Sequence, residues 1–219
     1  MTKKNTKTFN NLAKAYVGES CARGRYHMLA EFAEKSGYVA MSDMIKLIEE
    51  NEFQHSRMMY SFICSMDKET IDNIDMNVGI PFKEKPNTLL ENLKFSAEDE
   101  KIEATKIYPQ FEKEAREEGF EDVANFFRNL IQVETCHQST FEQLYDQLKN
   151  GTMYKKPKAI KWKCASCGYE HTSKEAWTNC PLCGAPQGTV MIQIQDWFKI
   201  FSNKKMLTNS QHFFVYLIH

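Results

Sequence analysis

No stretch of this 219-residue chain approaches the roughly 20 consecutive apolar residues of a membrane-spanning helix. The late apolar run Phe213–Ile218 is far too short to cross a bilayer. The opening MTKKNTKTFNNLAKAY is basic and polar and lacks the apolar centre of an export signal. Charge of one sign is lacking too: 28 Lys+Arg stand against 29 Asp+Glu, a formal net charge of −1. No bulk field therefore draws the chain to nucleic acid or to an anionic membrane. These absences predict a cytoplasmic protein with no membrane and no nucleic-acid partner. What is present is 42% hydrophobic and 26% charged sequence, the composition of a soluble globular protein long enough for one medium and one small domain.

Four helices are predicted from apolar periodicity. The first runs from Thr8 to Ser36 and stops at Gly37, with Leu12, Ala15, Tyr16, Tyr26, Leu29, Ala30 and Ala33 on its inner side. The second, Ala40 to Met66, turns Met44, Leu47, Ile48, Asn51, Glu52, His55, Met58, Met59 and Phe62 inward. Its methionines read as gap-filling core and Cys64 as a small buried apolar residue. The third runs from Thr88 to Glu118 and contains Pro109, which predicts loosening just before it. The fourth runs from Glu121 to Lys149. Between Asp67 and Asn87 the helical pattern breaks around Gly79, Pro81 and Pro86. That gap is too long for a hairpin and suits a crossover joining two halves of a bundle.

One spacing occurs twice. Glu52-Phe-Gln-His55 and Glu134-Thr-Cys-His137 each set a carboxylate three residues before an imidazole. On a helix this offset puts both side chains on one face, where a single ion can take an oxygen and a nitrogen. The other two helices supply Glu19, and Glu100 with Glu103. One Glu from each of two helices plus a Glu-x-x-His from each of the others is the ligand set of di-iron carboxylate bundles, and Glu100 makes one carboxylate more than that minimum. Oxygen donors with few imidazoles suit iron or manganese. For Glu19 taken alone, an ion pair with Arg23 or Arg25, or plain exposure, is a better reading than a metal.

After Gly151 the composition shifts. Residues 152–161 are polar and basic and read as a linker. Cys164-x-x-Cys167 and Cys180-x-x-Cys183 then form two knuckles, four of the seven cysteines of the chain. In a chain without an export signal this favours a tetrahedral metal site over disulfides. Zinc and iron both accept four sulfurs. Spacing leans toward zinc, whereas Gly168-Tyr169, Pro181 and Trp162 resemble rubredoxin, whose single iron cycles by one electron. Val190–Ile194 reads as the last strand of this small domain. Gln195 to His219 is an extension whose apolar runs fit packing, partner binding or an artefact at the end of the gene.

A carboxylate bundle followed by a rubredoxin-like knuckle pair resembles the rubrerythrin family. The motifs are GES at Gly18 to Ser20, ARGRY at Ala22 to Tyr26, ENEFQH at Glu50 to His55, Glu100-x-x-Glu103 leading to Tyr108-Pro109, AREEGFED at Ala115 to Asp122, and Glu134-x-x-His137. The resemblance covers residues 8–194. The expected fold is mainly α: a ferritin-like four-helix bundle with one long crossover over residues 1–151, then a β-rich rubredoxin-like domain over 162–194. By this resemblance Glu19, Glu52, Glu100, Glu103, Glu134 and His137 look like iron ligands and catalytic residues. His55 looks like a ligand used in one oxidation state and exchanged with Glu103. Tyr26 and Tyr108 look like tyrosines that hydrogen-bond the ligating carboxylates.

The resemblance implies a di-iron centre, one iron ligated by the four knuckle cysteines (with zinc as the other possibility), and reduction of hydrogen peroxide to water. It also implies an electron-donor reductase or a separate rubredoxin, linked to NADH or NADPH, and a head-to-tail homodimer. The chain departs from the pattern at Glu175–Asn179, which lacks the proline expected before the second knuckle. An iron-handling protein, a ferroxidase using the same bundle site, is the alternative. A relay of single electrons through the cysteines has no use in pure storage.

Overall fold

The computed structural model describes residues 6–66 and 89–195. The predicted crossover, and the C-terminal extension after Gln195, lie outside the described residues. Helix α1 (Lys7–Lys35) and helix α2 (Val39–Met66) form one antiparallel pair. Helix α3 (Leu89–Ile102), a π-helical stretch (Glu103–Ile107) and helix α4 (Tyr108–Glu117) follow one another without a break and pack against helix α5 (Glu121–Lys149). None of the described helices is long and apolar enough to cross a membrane.

The two ends of α1 and the stretch before Pro109 each have an identifiable cause. Thr6 caps α1 by accepting the Phe9 N–H at 3.2 Å. The free N–H groups of Lys7 and Thr8 donate to the Glu118 carboxylate from the far end of α4, at 3.0 and 2.8 Å. Past the end of α1, Gly37 adopts φ 87°. That left-handed residue lets Tyr38 N–H reach back to Ala33 O at 2.9 Å and close the helix. The loosening predicted before Pro109 takes a defined form. Proline has no N–H to continue the ladder, and the chain widens to π turns in which Tyr108 N–H bonds Glu103 O.

Two apolar layers fill the bundle. One, with Ala22, Tyr26, Leu29, Ile45, Ile48, Leu93 and Phe141, lies toward the α1–α2 turn. The other, with Phe9, Leu12, Met59, Ile63, Tyr108, Phe127 and Leu130, lies toward the opposite end. Cys64, read from sequence as buried, is exposed. It falls on the outer side of α2, between the inward-facing Ile63 and the partly buried Met66.

The small domain begins inside the stretch read as linker. Strand β1 (Lys155–Lys163) pairs antiparallel with β2 (Glu170–Glu175), with an irregularity between Lys155 and Ile160 where Pro157 lacks a ladder donor. Trp162 is fully buried against Ala176 and Val190, and its indole N–H donates to Ser173 O at 3.0 Å. The strand expected over Val190–Ile194 is absent. Val190 makes one isolated bridge to Cys164, and the chain then leaves the sheet for α5. There Gln147 donates to Gln193 O at 2.9 Å, and Gln143 both donates to Gln195 O and accepts its N–H. Ile192 and Met153 join the bundle core, so the small domain is seated on its own bundle.

Candidate metal centres

The bundle site occupies the level between the two apolar layers. Along α1, Glu19 lies between Ala15 and Ala22, which belong to opposite layers; Glu52 on α2 lies likewise between Ile48 and Met59. Glu100 follows Ala97 on α3, and Glu134 and His137 fall between Leu130 and Phe141 on α5. Glu19, Glu52, Glu100, Glu134 and His137 are all buried. Uncompensated, so many buried carboxylates are unfavourable.

Their atoms converge on two positions. Glu19, Glu52, His55 and Glu134 form one group of ligand atoms within 4.8 Å of one another; Glu52, Glu100, Glu134 and His137 form the other. Glu52 and Glu134 belong to both, and each divides its oxygens between the two. Glu52 Oε2 lies 2.9 Å from His55 Nδ1, and Oε1 lies 3.0 Å from His137 Nδ1. Glu134 Oε1 lies 3.2 Å from His55 Nδ1, and Oε2 lies 2.8 Å from His137 Nδ1. The two imidazole centroids are 5.9 Å apart. Two ions would be held here by these residues, with Glu52 and Glu134 able to offer an oxygen to each.

A test of fit comes from the polar atoms left without hydrogen bonds. Glu52 Oε1, Glu100 Oε2, both Glu134 oxygens and His137 Nδ1 are buried and make none. Such orphaned groups are rare in folded proteins, and here they face one another. Cations bound between them would satisfy all of them at once. The protonation pattern of the bare cluster agrees. Burial, then the charges of Glu52 and Glu134, raise Glu100 to about 8 and push Glu19 well above the usual carboxylate range. Burial resists ionisation of Glu52 too, but His137 and His55 outweigh it and hold its carboxyl well below that range.

Sequence-predicted residues fall in three sets. Glu19, Glu52, His55, Glu100, Glu134 and His137 come together. Glu103 does not join either group. It begins the π-helical stretch, and an added Cβ at Gly18 would stand 3.9 Å from its Oε1. His55, not Glu103, thus completes the first group. Tyr26 and Tyr108 sit outside the ligand atoms: Tyr26 donates its hydroxyl to Glu100 Oε1, and Tyr108 donates to Glu19 Oε1. The ion pairs offered as an alternative for Glu19 are not made. Arg25 pairs with Asp99 and Arg23 lies 3.9 Å from Glu49. The sequence reading put Asn51 on the inner face of α2 without a role; its amide lies 3.2 Å from His137 Nε2. A polar residue on an inward face, next to a ligand, was the available signal.

The four knuckle cysteines also converge within 4.8 Å and are unpaired thiols. Sulfurs about 2.3 Å from a central ion in a tetrahedron lie about 3.8 Å from one another. Cys164 Sγ and Cys183 Sγ are 3.8 Å apart, and Cys167 Sγ and Cys180 Sγ are 3.7 Å apart. Burial disfavours the Cys164 thiolate, yet backbone N–H groups of Cys167 and Ser166 aimed at it bring its thiol down to about 6. Cys167 and Cys183 are exposed, so this site opens to solvent on one side.

Comparison with known proteins finds matches to both parts of the chain. A family model described as Rubrerythrin matches residues 10–145, and one described as the rubrerythrin rubredoxin-like domain matches 162–189. The chain is 39% identical to rubrerythrin of Clostridium perfringens over 84% of its length and 93% of the relative's. It is 36% identical to a putative rubrerythrin of Methanocaldococcus jannaschii over 82% of its length and 89% of that protein's. Nigerythrin in a partially reduced state shares the fold with a TM-score of 0.57 at 23% identity, covering 86% of this chain and 90% of that one. Bacterioferritin of Desulfovibrio desulfuricans shares the bundle with a TM-score of 0.58 at 22% identity, covering 66% and 81%.

Proposed function

This chain belongs to the rubrerythrin family of iron oxidoreductases, and from that premise we propose that it reduces hydrogen peroxide to water with electrons relayed through its four-cysteine iron site. The observation that carries the reading is the pairing of two metal sites of different chemistry in one chain. Iron bound in the bundle supplies two electrons, the number that cleavage of one O–O bond requires. Glu52 and Glu134 hold one oxygen toward each of the two positions, which fixes their separation. Tyr108 and Tyr26 orient the outer carboxylates, Glu19 and Glu100, by donating to one oxygen and leaving the other to face inward. The apolar layers above and below exclude bulk water from this level. Glu103 stands beside the cluster, where burial, then the charges of Glu19, Glu100 and Glu134, raise its carboxyl well above the usual range.

The electron path runs between two copies of the chain. The small domain is seated at the α1–α2 turn, where Gly188 touches Gly37. Roughly 24 Å of helix separates Glu19 from Lys35 at that end, at about 1.5 Å per residue. A head-to-tail homodimer removes this distance by bringing one copy's cysteine site to the other copy's bundle. Charge favours the pairing. Residues 152–195 carry six lysines against two glutamates in a chain of net charge −1, which leaves the bundle acidic. A separate electron-donor protein, drawing on NADH or NADPH, recharges the exposed cysteine site.

The test is metal analysis and visible spectroscopy of anaerobically purified protein, reduced and then given peroxide. The expected result is about three irons per chain and a thiolate-to-iron colour that bleaches on reduction and returns with peroxide as water forms. Zinc in the cysteine site with no reoxidation by peroxide would overturn the reading. Continued uptake of Fe(II) into a large shell would favour iron handling instead.

A further inference from the structure

The two imidazoles of the bundle are held unequally. His137 is fully buried, whereas the His55 side chain is 13% exposed. His137 turns Nδ1 to the shared carboxylates and Nε2 to the amide of Asn51 on α2, whose Nδ2 is placed 3.2 Å away. A nitrogen that ligates a metal must offer its lone pair, so with Nδ1 facing the metal position the ring proton resides on Nε2. Only the amide oxygen can accept that proton, and a half-turn of the amide plane presents it. Resting on the metal reading above, we propose that Asn51 is a positioning residue. It accepts the Nε2–H of His137, locks the ring in the Nδ1-ligating tautomer and makes His137 the fixed nitrogen ligand of the pair.

The other imidazole lacks this device. Among the described residues no polar side chain holds His55 Nε2. The helix position equivalent to Asn51, one residue before the second Glu-x-x-His, is Val133, which offers no hydrogen bond. Asparagine is also a poor choice for the interior of a helix, because its side chain competes for backbone groups. Its presence on the inward side of α2 is explained by a hydrogen bond across to α5. A hydrogen bond to the distal ring nitrogen raises the basicity of the ligating one and removes ring rotation. His137 is thereby held from both ring nitrogens, whereas His55 is held from Nδ1 alone.

The experiment is an anaerobic Fe(II) titration against a competing chelator, with wild type, Asn51→Leu and Asn51→Asp compared at equal occupancy of the cysteine site. Asn51→Leu is expected to weaken one bundle iron by about 10–100-fold, while helical circular dichroism and the colour of the cysteine-bound iron stay as in wild type. Asn51→Asp keeps an acceptor and is expected to bind at least as tightly as wild type. Unchanged affinity in Asn51→Leu overturns the proposal and leaves the metal reading standing. Equal weakening in Asn51→Asp also overturns it, and decides the matter even where Asn51→Leu fails to fold. A wild-type bundle that takes up no Fe(II) overturns both.

Discussion

Glu19 has one oxygen held by the Tyr108 hydroxyl and the other 3.4 Å from His55 Nδ1. The hydroxyl is a donor because burial, then the charges of Glu103 and Glu19, push the phenol well above its usual range. Tyr108→Phe keeps the ring stacked on Phe127 and removes only the donor. Peroxide turnover per bound bundle iron is expected to fall about 10–100-fold, the usual effect of losing a partner that orients a metal ligand. Stopped-flow reoxidation alongside iron analysis measures it, and wild-type turnover at full iron content would exclude an orienting role. At this scale the sequence located donors on helix faces by counting in threes. It did not separate His55 from Glu103 as the residue completing the first group. Glu103 begins the π-helical stretch and stays outside the group, a placement that no spacing rule encodes.

At the scale of elements, α1 starts against α4. Glu118 accepts two backbone N–H groups and the Thr8 hydroxyl, the last at 2.7 Å. Burial is the largest single influence and opposes its charge, but these hydrogen bonds together prevail and hold the carboxyl below its usual range. A carboxyl depressed in the folded state adds stability at pH above its unfolded value. That contribution disappears as pH falls through the lower folded value. Glu118→Gln is therefore expected to lower stability at neutral pH by up to about 1 kcal/mol, the scale of a lost helix cap, reduced by solvent screening of an exposed group. It should also flatten the acid limb of the profile. Urea midpoints at pH 7 and pH 4 measure both effects; equal losses at the two pH values would contradict the assignment. Helix ends at glycines were legible in the sequence because a left-handed residue stops a helix locally. This cap was not, since its partners are over a hundred residues apart.

At the scale of the molecule, the small domain bears on its own bundle through a contact that admits no side chain. A Cβ on Gly188 would lie 1.7 Å from Gly37 O, and both sides of this contact are backbone. Gly188→Ala is expected to unseat the small domain, lowering the thermal midpoint by the equivalent of about 1–3 kcal/mol, as overpacking does. It should also expose the chain near Met153 to protease, while the colour of the cysteine-bound iron persists. An unchanged midpoint and protease pattern would mean that the two parts move independently.

The mainly α bundle, its paired metal motifs and the knuckle domain behind it follow from the sequence alone, because helical periodicity and Cys-x-x-Cys spacing are local and repeat with the geometry of the backbone. Three features followed only from tertiary structure: the sharing of Glu52 and Glu134 between two positions, the hold of Asn51 on one imidazole, and the return of residues 192–195 to α5. Each joins residues distant in sequence. The side-chain atoms meet only after the two apolar layers have packed and set the distance between the helices.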